Sequence, residues 1–125
     1  MPLMSLGMFA FEIGTLPFQE LARTTDWRHG SSPRFGARPA SQYLGPGEDR
    51  VNLVGALLPG LAGTYSSLRT LREMADQGDA WPLVEGGGRV LGNFRIDRID
   101  ERQNHFTVDG VPRRADFTVD LARVD

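Results

Sequence analysis

Apolar and polar residues alternate along much of the chain, with the two-residue period of β-strands that bury one face. The pattern is clearest in the predicted strand from Arg113 to Val124. There the apolar residues Ala115, Phe117, Val119 and Leu121 alternate with Asp116, Thr118, Asp120 and Ala122. An Asp109-Gly110 pair before this strand is typical of a tight turn, so we predict a C-terminal hairpin that starts at Phe106–Val108.

Strand character also marks six earlier parts of the chain: Met8–Ile13, Leu16–Trp27, Ala40–Leu44, Val51–Leu58, Trp81–Val84 and Arg89 to about Asp100. In the first of these, Phe9, Phe11 and Ile13 share one face. Val51–Leu58 is almost continuously apolar, which predicts that both of its faces are covered by a helix, a second sheet or another copy of the protein.

One segment, from about Ser67 to Gln77, has helical spacing instead. Its apolar side consists of Leu68, Leu71, Met74 and Ala75. Thr64, Ser66 and Ser67 offer N-caps, and Gly78 stands where a left-handed residue ends a helix. We therefore predict a single α-helix in this region.

Glycine, proline and serine interrupt the strand pattern at three places. Arg28–Pro39 has no apolar period and is predicted to be a long, mobile surface loop, while Gly45–Arg50 and Gly86–Gly88 are predicted to be turns. With about seven strands and one helix, we predict a mainly β (α+β) fold: an antiparallel β-sandwich or barrel with the helix over one face, in a single domain covering residues 1–125.

The charge of the chain limits its partners. The formal net charge is −2 and all 14 basic residues are arginines, so there is no excess positive field of the kind that a phosphate-binding protein needs. Nucleic acid is therefore not expected as a principal partner. The absence of lysine has two open explanations, codon usage in a GC-rich genome and a use of arginine's bidentate pairing at interfaces.

Sites for metals and cofactors are not expected. The chain has no cysteine, which excludes disulfides and thiolate ligands, and its two histidines, His29 and His105, have no second histidine nearby in sequence. Met1–Phe11 lacks a basic region and a bilayer-spanning length, so we expect neither a signal peptide nor a membrane anchor. Gly86–Gly88 lacks the lysine and helix of a phosphate loop.

Other candidate chemistry has a structural alternative in each case. The acids Asp97, Asp100 and Glu101 could perform acid–base catalysis, but arginines interleave with them, as is typical of a solvated face or of cross-strand pairs. The aromatic residues Trp27, Trp81, Phe94 and Phe117 could stack on bases, but core packing is favoured because the charge is balanced. Trp81 is also a candidate anchor at a protein contact.

Four segments, in order and over nearly the whole chain, resemble the tail protein U (GpU-like) family of contractile-tailed bacteriophages and phage-tail-like particles. They are "SLGMFAFEIGTLPFQEL", "FGARPASQYLGPGEDRVNLVGALLPGLAG", "SLRTLREMADQGDAWPLVEGGGRVLG" and "DGVPRRADFTVDLARVD". The resemblance differs at Ala115, where the family pattern has a larger aliphatic residue, and at "AGTYSS", which is poorer in glycine.

This resemblance implies a structural virion protein with a fold of the tail-tube type, and no enzyme activity or cofactor. It implies a ring-forming subunit, hexameric, at the baseplate end where the tail tube starts, between the hub and the tube protein, assembled in the bacterial cytoplasm. The alternatives are a tail-completion (terminator) ring at the head-proximal end and, in a different class, a small β-barrel enzyme or ligand-binding domain. No membrane partner is expected.

Contacts between copies, or with other tail proteins, are expected at tryptophans and arginines, because these residues concentrate binding energy at interfaces. The candidates are Trp27, Arg34, Arg38, Trp81, Arg95, Arg98, Arg113 and Arg114. The predicted loop at Arg28–Pro39 is expected to be disordered in a free subunit and to become ordered against a neighbouring ring or the hub.

Overall fold

A computed structural model describes residues 3–12, 18–58, 65–106, 108, 110 and 112–125. The described chain contains seven strands and one helix. In chain order they are β1 (Met4–Leu6), β2 (Phe9–Phe11), β3 (Phe18–Arg34), β4 (Ala37–Leu57), α1 (Tyr65–Gln77), β5 (Ala80–Glu85), β6 (Val90–Phe106) and β7 (Pro112–Arg123).

All seven strands form one antiparallel sheet in the order β2-β1-β5-β6-β7-β4-β3. The edge strands β2 and β3 approach each other: the rings of Phe11 in β2 and Phe18 in β3 are in contact, with centroids 6.0 Å apart. The sheet is therefore curled, with α1 packed against its concave side next to β6. The predicted mainly β fold with one covering helix is confirmed.

The core follows the predicted alternation in β7 and in the helix. Ala115, Phe117, Val119 and Leu121 are almost completely buried, and they meet Leu68 and Leu71 of α1 in one cluster. Phe94 also lies in this cluster, so Phe94 and Phe117 pack in the core and offer no surface for stacking bases. The helix starts two residues before the predicted Ser67 and ends as predicted at Gln77, where Gly78 has φ of +73°.

Trp81 is half-buried against the core, and it holds the turn between β1 and β2. Gly7 in this turn has φ of +61°, and a Cβ atom at that position would lie 2.7 Å from Cδ1 of Trp81. The backbone N–H of Gly7 donates to the carbonyl of Pro82 at 2.9 Å. The indole therefore packs over a glycine that no other residue can replace without strain.

The predicted loop at Arg28–Pro39 is wrong, because these residues lie in β3 and β4 and join in the two-residue connection Phe35-Gly36. The predicted turn at Gly45–Arg50 is also wrong, since β4 continues through it. Here β3 and β4 have no further neighbours, because the pairing of β4 with β7 begins only at Arg50. Proline and glycine are tolerated in such edge strands, since few backbone N–H groups are needed by a neighbour.

Three other boundaries differ from the prediction. The first predicted strand, Met8–Ile13, is a hairpin in which Met8 occupies the turn, fully exposed, while Ile13 lies outside the described residues. β6 continues to Phe106 without the predicted break before Phe106–Val108, and Asp109 of the predicted turn is outside the described part. In Val51–Leu58, both-face burial is limited to Gly55–Leu57, because Asn52 and Val54 are half-exposed.

Replacing Gly7 by alanine is expected to destabilise the fold by about 2 kcal/mol, because it adds a left-handed φ penalty and a contact with Trp81. A thermal unfolding curve followed by circular dichroism should show a Tm lower by roughly 5–10 °C. The control is Gly87→Ala, at a turn position with open space around it. Equal Tm values for the two variants would contradict the packing described for Trp81.

Candidate subunit interface

The β3–β4 hairpin extends beyond the body of the sheet as a two-stranded ribbon, which we call the arm (Trp27–Gly47). β3 pairs with β4 along its whole length, but β7 accompanies β4 only from Arg50 onward. Nearly every arm side chain is exposed on both faces, including Trp27 (58%), Tyr43 (58%) and Phe35 (107%). The arm is thus a β-ribbon with almost no core of its own.

The arm is basic and the rest of the chain is acidic. Between Trp27 and Gly47 there are three arginines, Arg28, Arg34 and Arg38, and no acidic residue. With a formal net charge of −2 for the whole chain, the arm's +3 leaves −5 on the remaining residues. This separation favours an arrangement in which the arm of one molecule contacts the body of another.

Asp49 fixes the arm at its base. This buried carboxylate accepts hydrogen bonds from Nε (2.9 Å) and Nη2 (2.6 Å) of Arg23 in β3. It also lies 3.5 Å from Nη1 of Arg123 at the end of β7. The paired guanidinium of Arg23 is the main cause that lowers the pKa of Asp49, and it outweighs the opposing effect of burial. Three strands are therefore tied together where the arm leaves the sheet.

Asp26 makes a second connection between β3 and β4, next to Asp49 on the side towards the tip of the arm. The register shifts between Thr25 and Trp27, and the Asp26 carboxylate accepts a hydrogen bond of 2.6 Å from the backbone N–H of Glu48. A Cβ atom at Gly47 would lie 1.8 Å from Oδ1 of Asp26, so a side chain there would displace the carboxylate that makes this hydrogen bond. The bulge sets the direction in which the arm leaves the body.

The polar face of the sheet carries a repeated arrangement, an arginine followed two residues later by an aspartate in the same strand. The pairs, with their shortest N···O distances, are Arg95–Asp97 (3.2 Å), Arg98–Asp100 (3.0 Å) and Arg114–Asp116 (3.0 Å). Residues two apart in a strand lie on the same face, which explains the pairing. The strands therefore neutralise most of their own charge.

Asp97 and Asn52 connect this face across strands. Asp97 also accepts a hydrogen bond of 2.8 Å from Nη1 of Arg50. This hydrogen bond is the main cause of the lowered pKa of Asp97. The side-chain amide of Asn52 donates to the carboxylate of Asp120. The predicted solvated face with cross-strand pairs is confirmed here. Among the described residues of this face, Asp97, Asp100 and Asp116 are each paired with an arginine.

The predicted contact residues lie in three separate places. Trp27, Arg34 and Arg38 are on the arm, where Nε of Arg34 donates to the carbonyl of Arg38 at 2.8 Å. Trp81 lies in β5, away from the arm, and packs on Gly7. Arg95, Arg98 and Arg114 are held in ion pairs on the polar face, and Arg113 lies in β7 with its side chain outside the described part. All eight stay predictions as contacts with a partner.

Sequence reasoning missed three features of the interface region: the Arg23–Asp49–Arg123 cluster, the Asp26 bulge and the position of Phe35. The cluster joins residues 26 and 74 positions apart, which no local pattern reveals. Phe35 had a local signal, because an aromatic residue followed by glycine between two extended segments is compatible with a two-residue hairpin turn.

The described residues contain neither a group of metal ligands nor a membrane-spanning helix. Within the described residues, no three histidine, cysteine, aspartate or glutamate side chains are grouped so that they could hold a metal ion. His29 instead lies against the ring of Tyr43, with centroids 5.4 Å apart, and the His105 side chain is outside the described part. No described helix is long and apolar enough to cross a membrane.

Comparison with protein families identifies the family of the chain. The profile of the family described as Phage P2 GpU matches residues 7–125. The chain belongs to the Phage P2 GpU family. It is therefore a phage tail structural protein, a component of a phage tail or tail-like particle, and the resemblance found in the sequence is confirmed.

Two individual proteins are similar to this GpU-family chain. A probable tape measure protein of Halomonas phage phiHAP-1 is 28% identical over 120 residues, which cover 94% of this chain. The chain spans only 14% of the length of that relative. A protein in the C6-symmetric tail of an empty gene transfer agent particle has the same fold, with a TM-score of 0.61 and 17% identity over 99% of this chain and 91% of its own.

Replacing Asp49 by asparagine is expected to lower the free energy of unfolding by about 1–3 kcal/mol at pH 7, because Arg23 loses its charged partner. The pKa of Asp49 is lowered in the folded state, so its contribution is present above the pKa of an unfolded aspartate, about 4, and is lost as the pH falls below it. Urea unfolding from pH 7 to pH 3 should therefore show the two proteins converging.

The matched control for this prediction is Asp116→Asn, which removes an exposed ion pair with Arg114. Its effect should stay within about 0.5 kcal/mol at any pH. A difference between wild type and Asp49→Asn that is constant from pH 7 to pH 3 would show that the charge of Asp49 does not stabilise the fold.

Proposed function

We propose that this GpU-family chain is a ring-forming structural subunit at the baseplate end of a contractile tail, where the tail tube starts, and that it connects the hub to the tube protein. The role is structural and not enzymatic. Assembly takes place in the bacterial cytoplasm before the particle is released. The observation that carries the proposal is the arm, a basic β-ribbon that projects from the sheet with both faces exposed.

An arm of this kind favours assembly for a physical reason. Isolated two-stranded ribbons are marginally stable in water, and a free strand edge offers unpaired N–H and C=O groups to another chain. The arm's outer strand β3 is an edge of the sheet. Contact with a neighbour would bury its exposed aromatics and satisfy that edge.

A contact between two different surfaces is favoured, since the arm is basic and the body acidic. Head-to-tail contacts between unlike surfaces close into rings when the rotation between subunits is a simple fraction of a full turn. The shared fold with a protein of a C6-symmetric tail supports a hexamer. The copies of this chain would then be one another's principal partners.

The position at the start of the tube is supported by the family and by the relative from Halomonas phage phiHAP-1. In that phage a segment similar to this chain is part of a probable tape measure protein. A covalent link requires that the two parts reach each other in the tail. We therefore propose that this chain lies beside the tape measure protein as well as the hub and tube proteins.

Native mass spectrometry and negative-stain images over a range of concentrations test the proposal. We expect rings, formed either by the chain alone or after addition of the hub or tube protein. Rings that bind only a head-proximal tail protein would favour a tail-completion subunit. A monomer that binds none of the tail proteins would contradict the proposal. It would favour an enzyme or ligand-binding role.

Shortening the arm is expected to abolish rings without unfolding the body. In this variant an Asn-Gly turn replaces residues 28–45, which joins the paired residues Trp27 and Pro46. The Arg23–Asp49 contact and the core remain, so circular dichroism should show a folded protein and native mass spectrometry a monomer. The control is Val108→Ser, at an exposed turn outside the arm, which should form rings. Rings formed by the shortened protein would show that the arm is dispensable.

A further inference from the structure

The tip of the arm presents one fully exposed aromatic ring between cations. Phe35 is 107% exposed, and Gly36 beside it has φ of +69°. The guanidinium of Arg34 closes the turn by donating to the carbonyl of Arg38, so the tip is internally held. The side chain of Arg38 is exposed. The tip is therefore an apolar knob with a positive charge next to it.

A depression of complementary character lies between the second half of α1 and β6. It has a volume of about 240 Å³ and is lined by Arg72, Ala75 and Asp76 of the helix and by residues 96–99 of the strand. Ala75, Ile96 and Ile99 give it an aliphatic surface, and both isoleucines are only partly buried where they pack on the core. An apolar floor between a helix and a strand can accept an aromatic ring.

The charges around this depression favour the binding of a positively charged side chain. Its two arginines already have carboxylate partners, Arg72 with Glu101 at 3.1 Å and Arg98 with Asp100 at 3.0 Å. Asp76 has no cation within 4 Å in the described part of the chain. Asp76 also lies in the last turn of α1, where the helix dipole is negative and no basic residue compensates.

We propose that Phe35 of one copy inserts into the α1–β6 depression of a neighbouring copy, with Arg38 beside Asp76. This inference rests on the proposed ring-forming function and names the two surfaces that meet. From Thr25, which pairs with Asp49 at the base, β3 continues to Arg34 at the tip, a distance of about 30 Å at about 3.3 Å per residue. A 125-residue domain has a radius of gyration of about 14 Å, so the arm can span a neighbour.

Insertion within the same molecule is not what the structure shows, because Phe35 is fully exposed and the ladder holds it away from the body. Knob and depression lie on different parts of the chain, so the contact is heterologous and can repeat around a ring. A tip bound instead to the hub or the tube protein is an alternative outcome that the experiment below separates.

Site-directed cross-linking tests the contact in the intact protein, and the natural absence of cysteine makes it specific. The variant carries Ala37→Cys next to the knob and Gln77→Cys next to the depression, both exposed positions, so that Phe35, Ala75 and Asp76 are kept. It is treated with a short thiol-reactive bifunctional cross-linker, which tolerates some slack in distance. We expect a ladder of covalent oligomers that ends at the size of the ring. Each single-cysteine variant should give dimers at most, and Met8→Cys with Gln77→Cys should give no ladder.

Substitutions at the same surfaces give an independent measurement. Phe35→Ala is expected to weaken association between subunits by roughly 10- to 100-fold, as for a buried phenylalanine ring. Asp76→Arg should weaken it about 5- to 10-fold, and Arg38→Asp added to Asp76→Arg should restore much of the loss. All variants change exposed residues, so unfolding is not expected to mask the effect.

The outcomes separate the two proposals. Rings without a cross-linked ladder and without an effect of Phe35→Ala would overturn the knob contact but leave the ring-forming function intact. Cross-links only to added hub or tube protein would also overturn it, because the tip would then serve a different partner. A wild-type protein that never forms rings would overturn the ring-forming function, and with it the contact that rests on it.

Discussion

The carboxylate of Asp49 binds Arg23 and Arg123 at the point where the β3–β4 hairpin leaves the body of the sheet. The arm depends on this cluster, because it ties β3, β4 and β7 together at the base of a ribbon that has little core of its own. Removing one partner would leave a buried charge uncompensated, which makes the cluster costly to break. The bulge at Asp26 adds a hydrogen bond to the backbone of Glu48, and Gly47 leaves room for that carboxylate.

The charged strands have a role that differs from that of the arm. Arginine and aspartate two residues apart pair within the same strand of β6 and β7, so the polar face is nearly neutral although it is rich in charge. Exposed pairs of this kind contribute little to stability. They keep the outer face of the sheet soluble, and they leave the arginines of the arm as the concentrated positive charge of the molecule.

The fold was predictable where the signal is local. The alternation from Ala115 to Leu121 and the helical spacing of Leu68 and Leu71 identified buried faces that the structure contains. The arm was not predictable, because the glycines and prolines in Arg28–Gly47 indicate turns in a compact sheet but are tolerated where a strand has few neighbours. The pairing that overrides them joins residues far apart, such as Arg23 and Val51. For the same reason the Asp49 cluster had no sequence signal, whereas the spacing of arginines and acids on the polar face did.

Amide hydrogen exchange, followed by mass spectrometry in the free subunit and in the assembled particle, tests the central claim that a neighbouring chain completes the arm. The account predicts that the amides of residues 27–47 exchange rapidly in the free subunit, since they belong to a ribbon with exposed edges, and become protected on assembly. The amides of β7 should be protected in both states. Equal exchange of the arm in the two states would contradict the account, because the arm would then remain exposed in the tail.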